Sequence, residues 1–478
     1  MRRLSGLAMD LGPLRESRDF RLLYAGFLGA LIGTLMTGVA VAVQVYDLTG
    51  SSLHIGLVSL ARALPMVAGV LVGGVLADRM DRRTLMIVTR LPLTLAAGAL
   101  AANALAPEPQ LWLIYAATAT TGLLAGLGGP AMLAAVPALA GTGRLAAAGA
   151  LLSGSTQLAA LIGPAAGGAL IAGPGLAACY AVDAAGFLVF TAALLFVRPL
   201  PVPAGGGASG KGVRRAFGSL ADGLRFVRRH RLVLGLLLVD AAAMVFTMPQ
   251  ALYPALADER FGGGAAVVGL LYAAPACGAL VGAATSGWTA RAGGHALIGA
   301  VLLWGAALTG FGAGSWLPLA LVLLALAGFG DLISETLRSA LLQHGTPDEL
   351  RGRVSGLWMA QATVSPALGN TAVGFLAELT GAGAAVTIGG LVCVGATVAV
   401  AVAFPSLRRA RLGSAPADGD VREETPTDGG AREETPTDGG ARAKAPADGG
   451  ARAKAPADGG ARAKAPAPEP NSGAGASS

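Results

Sequence analysis

The chain has 478 residues, of which 54% are hydrophobic and only 13% charged, and its mean hydropathy is +0.62. Soluble domains carry about a quarter charged residues, so this composition excludes an ordinary soluble enzyme and fits a chain built for lipid. The net charge of +7 would suit a nucleic-acid partner, but its placement along the chain argues against one.

Apolar runs long enough to cross a ~30 Å hydrocarbon core as helix, about 20 residues each, recur from end to end. They predict twelve spans, at 22–46, 55–77, 85–105, 111–137, 146–172, 176–197, 232–254, 266–290, 296–314, 317–343, 354–377 and 383–404. The 72 glycines and the abundant alanines suit close helix–helix approach inside a bilayer. No cleavable signal is expected, because the first apolar run follows an Arg-rich stretch and is itself long enough to span. Cys179, Cys277 and Cys393 all fall within spans and are expected to be small buried residues. His54, His230, His295 and His344 have no metal spacing, so neither a metal nor a cofactor is expected.

Arg2, Arg3, Arg15, Arg18 and Arg21 precede the first span. Arg79, Arg82 and Arg83 follow the second, and the 198–231 connection holds Lys211 and seven arginines. The connections on the opposite side, at 47–54, 106–110, 173–175, 315–316 and 378–382, have no Lys or Arg, and 255–265 has only Arg260. This positive-inside pattern puts both termini in the cytoplasm. The basicity is a topology signal.

The expected organisation is a cytoplasmic N-terminal segment (1–21), a six-helix bundle (22–197), a cytoplasmic linker (198–231), a second six-helix bundle (232–404) and a tail (405–478). In the linker, Val213, Phe217, Leu220, Leu224 and Val227 share one helical face, while Arg214, Arg215, Arg225, Arg228 and Arg229 occupy the remainder. That pattern predicts an amphipathic helix on the inner leaflet. The tail repeats decapeptides such as "AREETPTDGG" and "ARAKAPADGG"; without large apolar residues it is expected to be disordered.

Between spans two and three stands "GGVLADRMDRR" (73–83). It resembles the cytoplasmic loop signature of the major facilitator superfamily, with Asp81 where that signature has a glycine. The resemblance implies a fold of two pseudo-symmetric six-helix bundles, and a gating motif of Gly74, Asp78, Arg79 and Arg82 that latches them together. Arg83 is expected to be a plain positive-inside anchor. The matching loop of the second half, "SGWTARAGGH", has no Asp. In span five, "LIGPAAGG" resembles the antiporter motif of the same superfamily through Gly163, Pro164, Gly167 and Gly168. Pro removes a helix hydrogen bond and the glycines thin the helix, so the segment can bend and pack tightly.

Segment 125–145 of the first half aligns with 329–350 of the second at the same place in the fourth span of each, the weak symmetry of a rocking two-bundle transporter. The second copy, "GFGDLISETLRSALLQ", carries Asp331, Glu335 and Arg338 within an arc of about 60° on one helix face. Each charge at bilayer depth costs about 2.5–3.5 kcal/mol, so that face should line a cavity. Glu335 and Arg338, three apart, are expected to neutralise each other. Asp331 is then left to pair with another helix or to carry a proton. The other reading is a static salt bridge, with Arg338 snorkelling to the surface. Glu335 and, in span seven, Asp240 are further proton-coupling candidates. Arg62 in span two is expected to pair with Asp331 or to bind an anionic substrate. Asp183 lies in span six, an outer helix in the fold the resemblance implies, so a structural role is expected there. Gln44, Gln157, Gln361 and Asn370 are candidates for a polar cavity lining.

"PLRESRDFRLLYAGFLGALIG", "VGGVLADRMDRR", "ALAPEPQLWLIY", "LYPALADERFGGGAAVVGLLYAAPACGALVGAATSG" and "GTPDELRGRVSGLWMAQ" together resemble the siderophore (enterobactin) exporter family over residues 13 to 408. The resemblance implies proton-driven export of a siderophore across the bacterial plasma membrane by alternating access. Multidrug or macrolide efflux is the alternative, since related branches share these motifs. Protons, lipid and a small-molecule substrate are the expected partners, and a monomer is the expected state. A membrane enzyme is not expected, because no HExxH, no Ser/His/Asp cluster and no metal-ligand set is present.

Overall fold

The fold was analysed in a computed structural model, which describes residues 11–201 and 223–411. Most of the linker face, Arg2, Arg3 and the repeat tail lie outside the described residues.

Long helices follow the apolar runs in order: α1 (Arg18–Thr49), α2 (Ser52–Ala77), α3 (Arg82–Leu105), α4 (Leu111–Ala140), α5 (Leu145–Ala172) and α6 (Leu176–Leu195) form the first half. The second contains α7 (Arg231–Phe246), α8 (Gly264–Thr285), α9 (Gly294–Ala313), α10 (Leu317–His344), α11 (Asp348–Thr380) and α12 (Ala382–Ala403). Within the first half α1 packs on α5 and α6, α2 on α4, and α3 on α4 and α6. The second half repeats all of these pairings six helices later: α7 with α11 and α12, α8 with α10, and α9 with α10 and α12. The halves join along α2–α11 and α5–α8, two seams related by the same exchange. This is a pair of six-helix bundles with internal pseudo-symmetry.

Among the described residues, eleven segments are long and apolar enough to cross a membrane. The twelfth predicted span, α11, has the length but not the hydropathy. Its charge at the start and polar residues such as Gln361 and Asn370 dilute it, because it packs between α2 and α7 instead of facing lipid alone.

Span seven departs from the expected continuous helix over 232–254. α7 stops at Phe246, a 3-10 turn covers Pro249–Leu252, and a short helix Tyr253–Glu259 completes the crossing. Pro249 has no N–H to donate and disfavours helix in the residue before it. Trp304 Nε1 donates to Thr247 Oγ1 at 2.7 Å, so a partner helix supplies a contact at the break.

At the Arg-rich end, the turn between α2 and α3 is built on Asp81. Its Oδ1 accepts from Thr84 N at 2.9 Å as the N-cap of α3, and its Oδ2 accepts from Leu200 N at 2.7 Å. The acid in the glycine position of the loop signature is therefore a helix cap. Residues 223–229 of the linker are helical; Val227 is buried in the protein core, whereas Leu224 is exposed. Cys179 and Cys393 are buried as expected, but Cys277 is exposed.

Candidate functional site

The halves meet most closely at the Arg-poor end. Ser52 and Gly56 near the start of α2 face Gly374, Asn370 and Thr371 near the end of α11. A Cβ on Gly56 would lie 2.5 Å from the Cα of Thr371, and one on Gly374 would lie 2.7 Å from the Ser52 carbonyl. Ser51 Oγ adds a hydrogen bond to Glu378 Oε1 across the seam, at 2.5 Å. On the other seam a Cβ on Gly168 would lie 2.6 Å from the Ala265 carbonyl, and one on Gly269 the same distance from that of Pro164. Only glycines allow this approach. Of the predicted antiporter motif, Gly163 and Gly167 pack on Leu35 and Met36 of α1, while Gly168 touches the other half.

At the opposite end, Asp78 and Arg79 are exposed, and the Asp78 N–H bonds the Gly74 carbonyl in the helix end. Arg82 and Arg83 do not reach outward. Arg82 Nη1 donates to the Ala134 carbonyl of α4 at 3.2 Å. Arg83 donates through Nε and Nη2 to the carbonyls of Leu194 and Leu195, each at 2.7 Å. Arg83 thus ties down the last turn of α6, a capping role that its reading as a plain anchor did not include.

In the second half, Arg338 does not take Glu335 as its ion-pair partner. Its Nη1 lies 2.8 Å from Asp240 Oδ1, with both side chains at most 4% exposed, and Glu335 is exposed. The contact is an ion pair by distance without the alignment of a hydrogen bond. Gln361 Nε2 donates at 2.9 Å to Asp240 Oδ2 and also to the Leu237 carbonyl. The set therefore joins α7, α10 and α11, and Asp331 stands on the same face of α10 as Arg338. Spacing of three within a helix is compatible with a pair, but a buried guanidinium gains more from an equally buried carboxylate. Asn370, another predicted lining residue, instead accepts from the Ala251 N–H at 3.1 Å.

In the first half a cavity of about 100 Å³ is lined by Thr34, Thr37, Ser59, Arg62, Asp183 and Tyr272, among others. Arg62 of α2 lines this cavity together with Asp183, whereas Asp331 of α10 does not. Among the described residues no ion pair joins Arg62 to Asp331, and the acid that shares its cavity is Asp183. Asp183, expected to be structural in an outer helix, is 2% exposed and lines this cavity. It accepts from Thr37 Oγ1 at 2.8 Å and from Thr34 Oγ1 at 3.5 Å. Gln44 accepts from the Tyr180 hydroxyl at 2.7 Å, apart from the cavity lining. Among residues the sequence reading passed over, Thr34 and Thr37 are signalled by their spacing of three in an otherwise apolar span. Arg90 is signalled only by its charge within α3; its guanidinium lies 4.1 Å above the Phe190 ring. Among the described residues no group of His, Cys, Asp and Glu could hold a metal ion.

Residues 8–423 match the family described as transmembrane secretion effectors. The enterobactin exporters EntS of Escherichia coli O1:K1 and of Shigella boydii serotype 18 are each 35% identical over 407 residues, covering 84% of this chain and 96% of theirs. The crystal structure of a POT family transporter in complex with 5-aminolevulinic acid superposes with a TM-score of 0.64 at 14% identity, over 82% of this chain and 97% of that one. The human organic anion transporter MFSD10 (TETRAN) gives 0.55 at 16% identity, over 80% and 99%. Matching fold, near-complete coverage of the exporters and the family match agree: the chain belongs to the transmembrane secretion effector family of the major facilitator superfamily.

Proposed function

We propose that this protein is a secondary active exporter in the bacterial plasma membrane, with both termini cytoplasmic, that moves a siderophore outward by alternating access in exchange for protons. The observation that carries the reading is the buried Asp240–Arg338–Gln361 set beside Asp331. Ionised groups at bilayer depth are tolerated where they face a polar interior or one another, and they mark ion and substrate pathways. Asp331 is the carboxyl left without Arg338, which suits it to take and release a proton, with Asp240 as the acid whose pairing responds. Glu335, exposed on the same helix, is the nearest candidate for handing a proton on. The siderophore cargo follows the enterobactin exporters that share a third of this sequence. Arg62 offers a cation to an acidic cargo group, and its buried Nε has no hydrogen-bond partner among the described residues.

The closed seams at the Arg-poor end and the exposed Asp78 and Arg79 at the other fit a transporter opened toward the cytoplasm. In the opposite state Asp78 and Arg79, held by Gly74, would form the latch between the halves. The test is siderophore partitioning in iron-starved cultures with and without the gene. Siderophore retained in the cells of the deletion, with a depleted supernatant, supports the reading. Unchanged partitioning with altered drug susceptibility replaces it with multidrug or macrolide efflux.

A further inference from the structure

The apolar interior of the first half is split in two. One cluster runs from Phe20 and Leu23 through Ala131 to Phe190 and Leu194 at the Arg-rich end. The other runs from Met36 and Val45 through Ile55 to Ile114 and Tyr180 at the Arg-poor end. Between them, at mid-depth, lie Thr34 and Thr37 of α1, Arg62 of α2 and Asp183 of α6, around the cavity. A polar layer across a membrane bundle is expensive, and a local rule broken without structural gain is the mark of function.

Asp183 reaches this layer because α1 and α6 approach closely there. A Cβ on Gly33 would lie 2.8 Å from Asp183 Oδ1 and 2.9 Å from its Cα. The charged and titratable groups near the carboxylate are few. α2 presents Arg62, which lies beyond ion-pair contact, and α6 itself carries Cys179 one turn away. α1 presents the hydroxyls of Thr34 and Thr37, and α8 of the other half presents Tyr272. α4 adds Thr118 and Thr121, and α3 adds only Leu100. Among the described residues no second carboxylate lines this cavity.

We propose that Asp183 is a proton site of the first half, with Arg62 as its counter-charge, so that each half of the transporter carries its own ionisable couple. The proposal rests on the proton-exchange reading above and extends it beyond the α7–α10 set. The arrangement seen here suits the ionised acid, since both threonine hydroxyls donate to it. A proton arriving from the aqueous cavity binds one carboxylate oxygen. The new O–H then needs an acceptor, which the Thr37 oxygen becomes when its hydroxyl rotates. Neutralised, Asp183 is a weaker acceptor for the hydroxyls of the cargo than the carboxylate is, so proton and cargo compete for the same side chain, as exchange requires. When the proton leaves to the opposite solution, the carboxylate again accepts from both hydroxyls. One proton enters and leaves, and no other bond changes.

The test uses the purified full chain in lipid nanodiscs and infrared difference spectra across a pH titration, which need no cargo. Wild type should show a protonated-carboxyl band that is absent in Asp183→Asn, shifted in Asp183→Glu, and displaced in midpoint by Thr37→Val. If Asp183→Asn does not fold, the Asp183→Glu and Thr37→Val comparisons decide the same point. Spectra unaltered by every one of these changes would overturn the proposal. Proton counter-movement is then followed in proteoliposomes exporting enterobactin. Its persistence unchanged in Asp183→Asn would overturn the coupling role. Its absence from wild type would overturn the proton-exchange reading itself, and the infrared band would still decide whether Asp183 binds a proton.

Discussion

Arg338 of α10 meets Asp240 of α7 at 2.8 Å, while Gln361 of α11 donates to the other oxygen of the same carboxylate. Removing one partner leaves a buried charge alone. Asp240→Asn is therefore expected to cost about 3–5 kcal/mol of stability. Replacing both, as Asp240→Asn with Arg338→Gln, should recover most of that loss but not export. Thermal unfolding of the purified variants, read as a double-mutant cycle, measures the coupling. Additive losses would show that the two side chains act independently.

Asp331→Asn keeps the shape of α10 and removes one titratable acid. Export against a gradient should fall at least tenfold, while exchange of labelled for unlabelled siderophore across equal concentrations continues. A loss of exchange as well would make Asp331 a substrate residue instead of a coupling one. The two assays on one proteoliposome preparation separate these outcomes.

Gly56→Val places a branched side chain where even a Cβ would lie 2.5 Å from the Thr371 Cα. The α2–α11 seam should fail to close, leaving the protein open at its Arg-poor end. A cysteine introduced as Ser59→Cys should then react faster with an impermeant thiol reagent added outside the cell. Equal labelling in the glycine and valine backgrounds would show that the seam does not gate the cavity.

Asp81→Ala removes the N-cap of α3 and the bond to Leu200 N. A cap of this kind is worth about 1 kcal/mol, so thermal stability should drop modestly with export largely retained. A loss of export at full expression would give Asp81 a part in gating that its hydrogen bonds do not require.

The succession of long helices was legible because apolar run length is a property of the chain alone. The partners of the buried charges were not. Spacing put Asp331, Glu335 and Arg338 on one face, but which of them meets Asp240 depends on how α7 and α10 pack, which no local pattern encodes. The reach of Asp183 into the interior was hidden for the same reason. Its helix is peripheral, and only the glycine at position 33 lets its carboxylate pass α1 into the interior. The break after Phe246 was hidden because Pro249 and Pro254 lie within an apolar run, where membrane helices often tolerate proline. Arg90 escaped notice because a cation two turns from the Arg-rich end reads as one that snorkels, whereas it stacks on Phe190.

The seam at Gly56 and Gly374 is main chain against main chain, with no side chain interposed. Rotamer changes, which let small ions slip through many side-chain gates, have nothing to act on there. Such a barrier opens only when one half moves bodily against the other. The closed transporter should therefore be tight to ions and water at this end, and the energy held in a transmembrane gradient would be spent on cargo and not dissipated as leak.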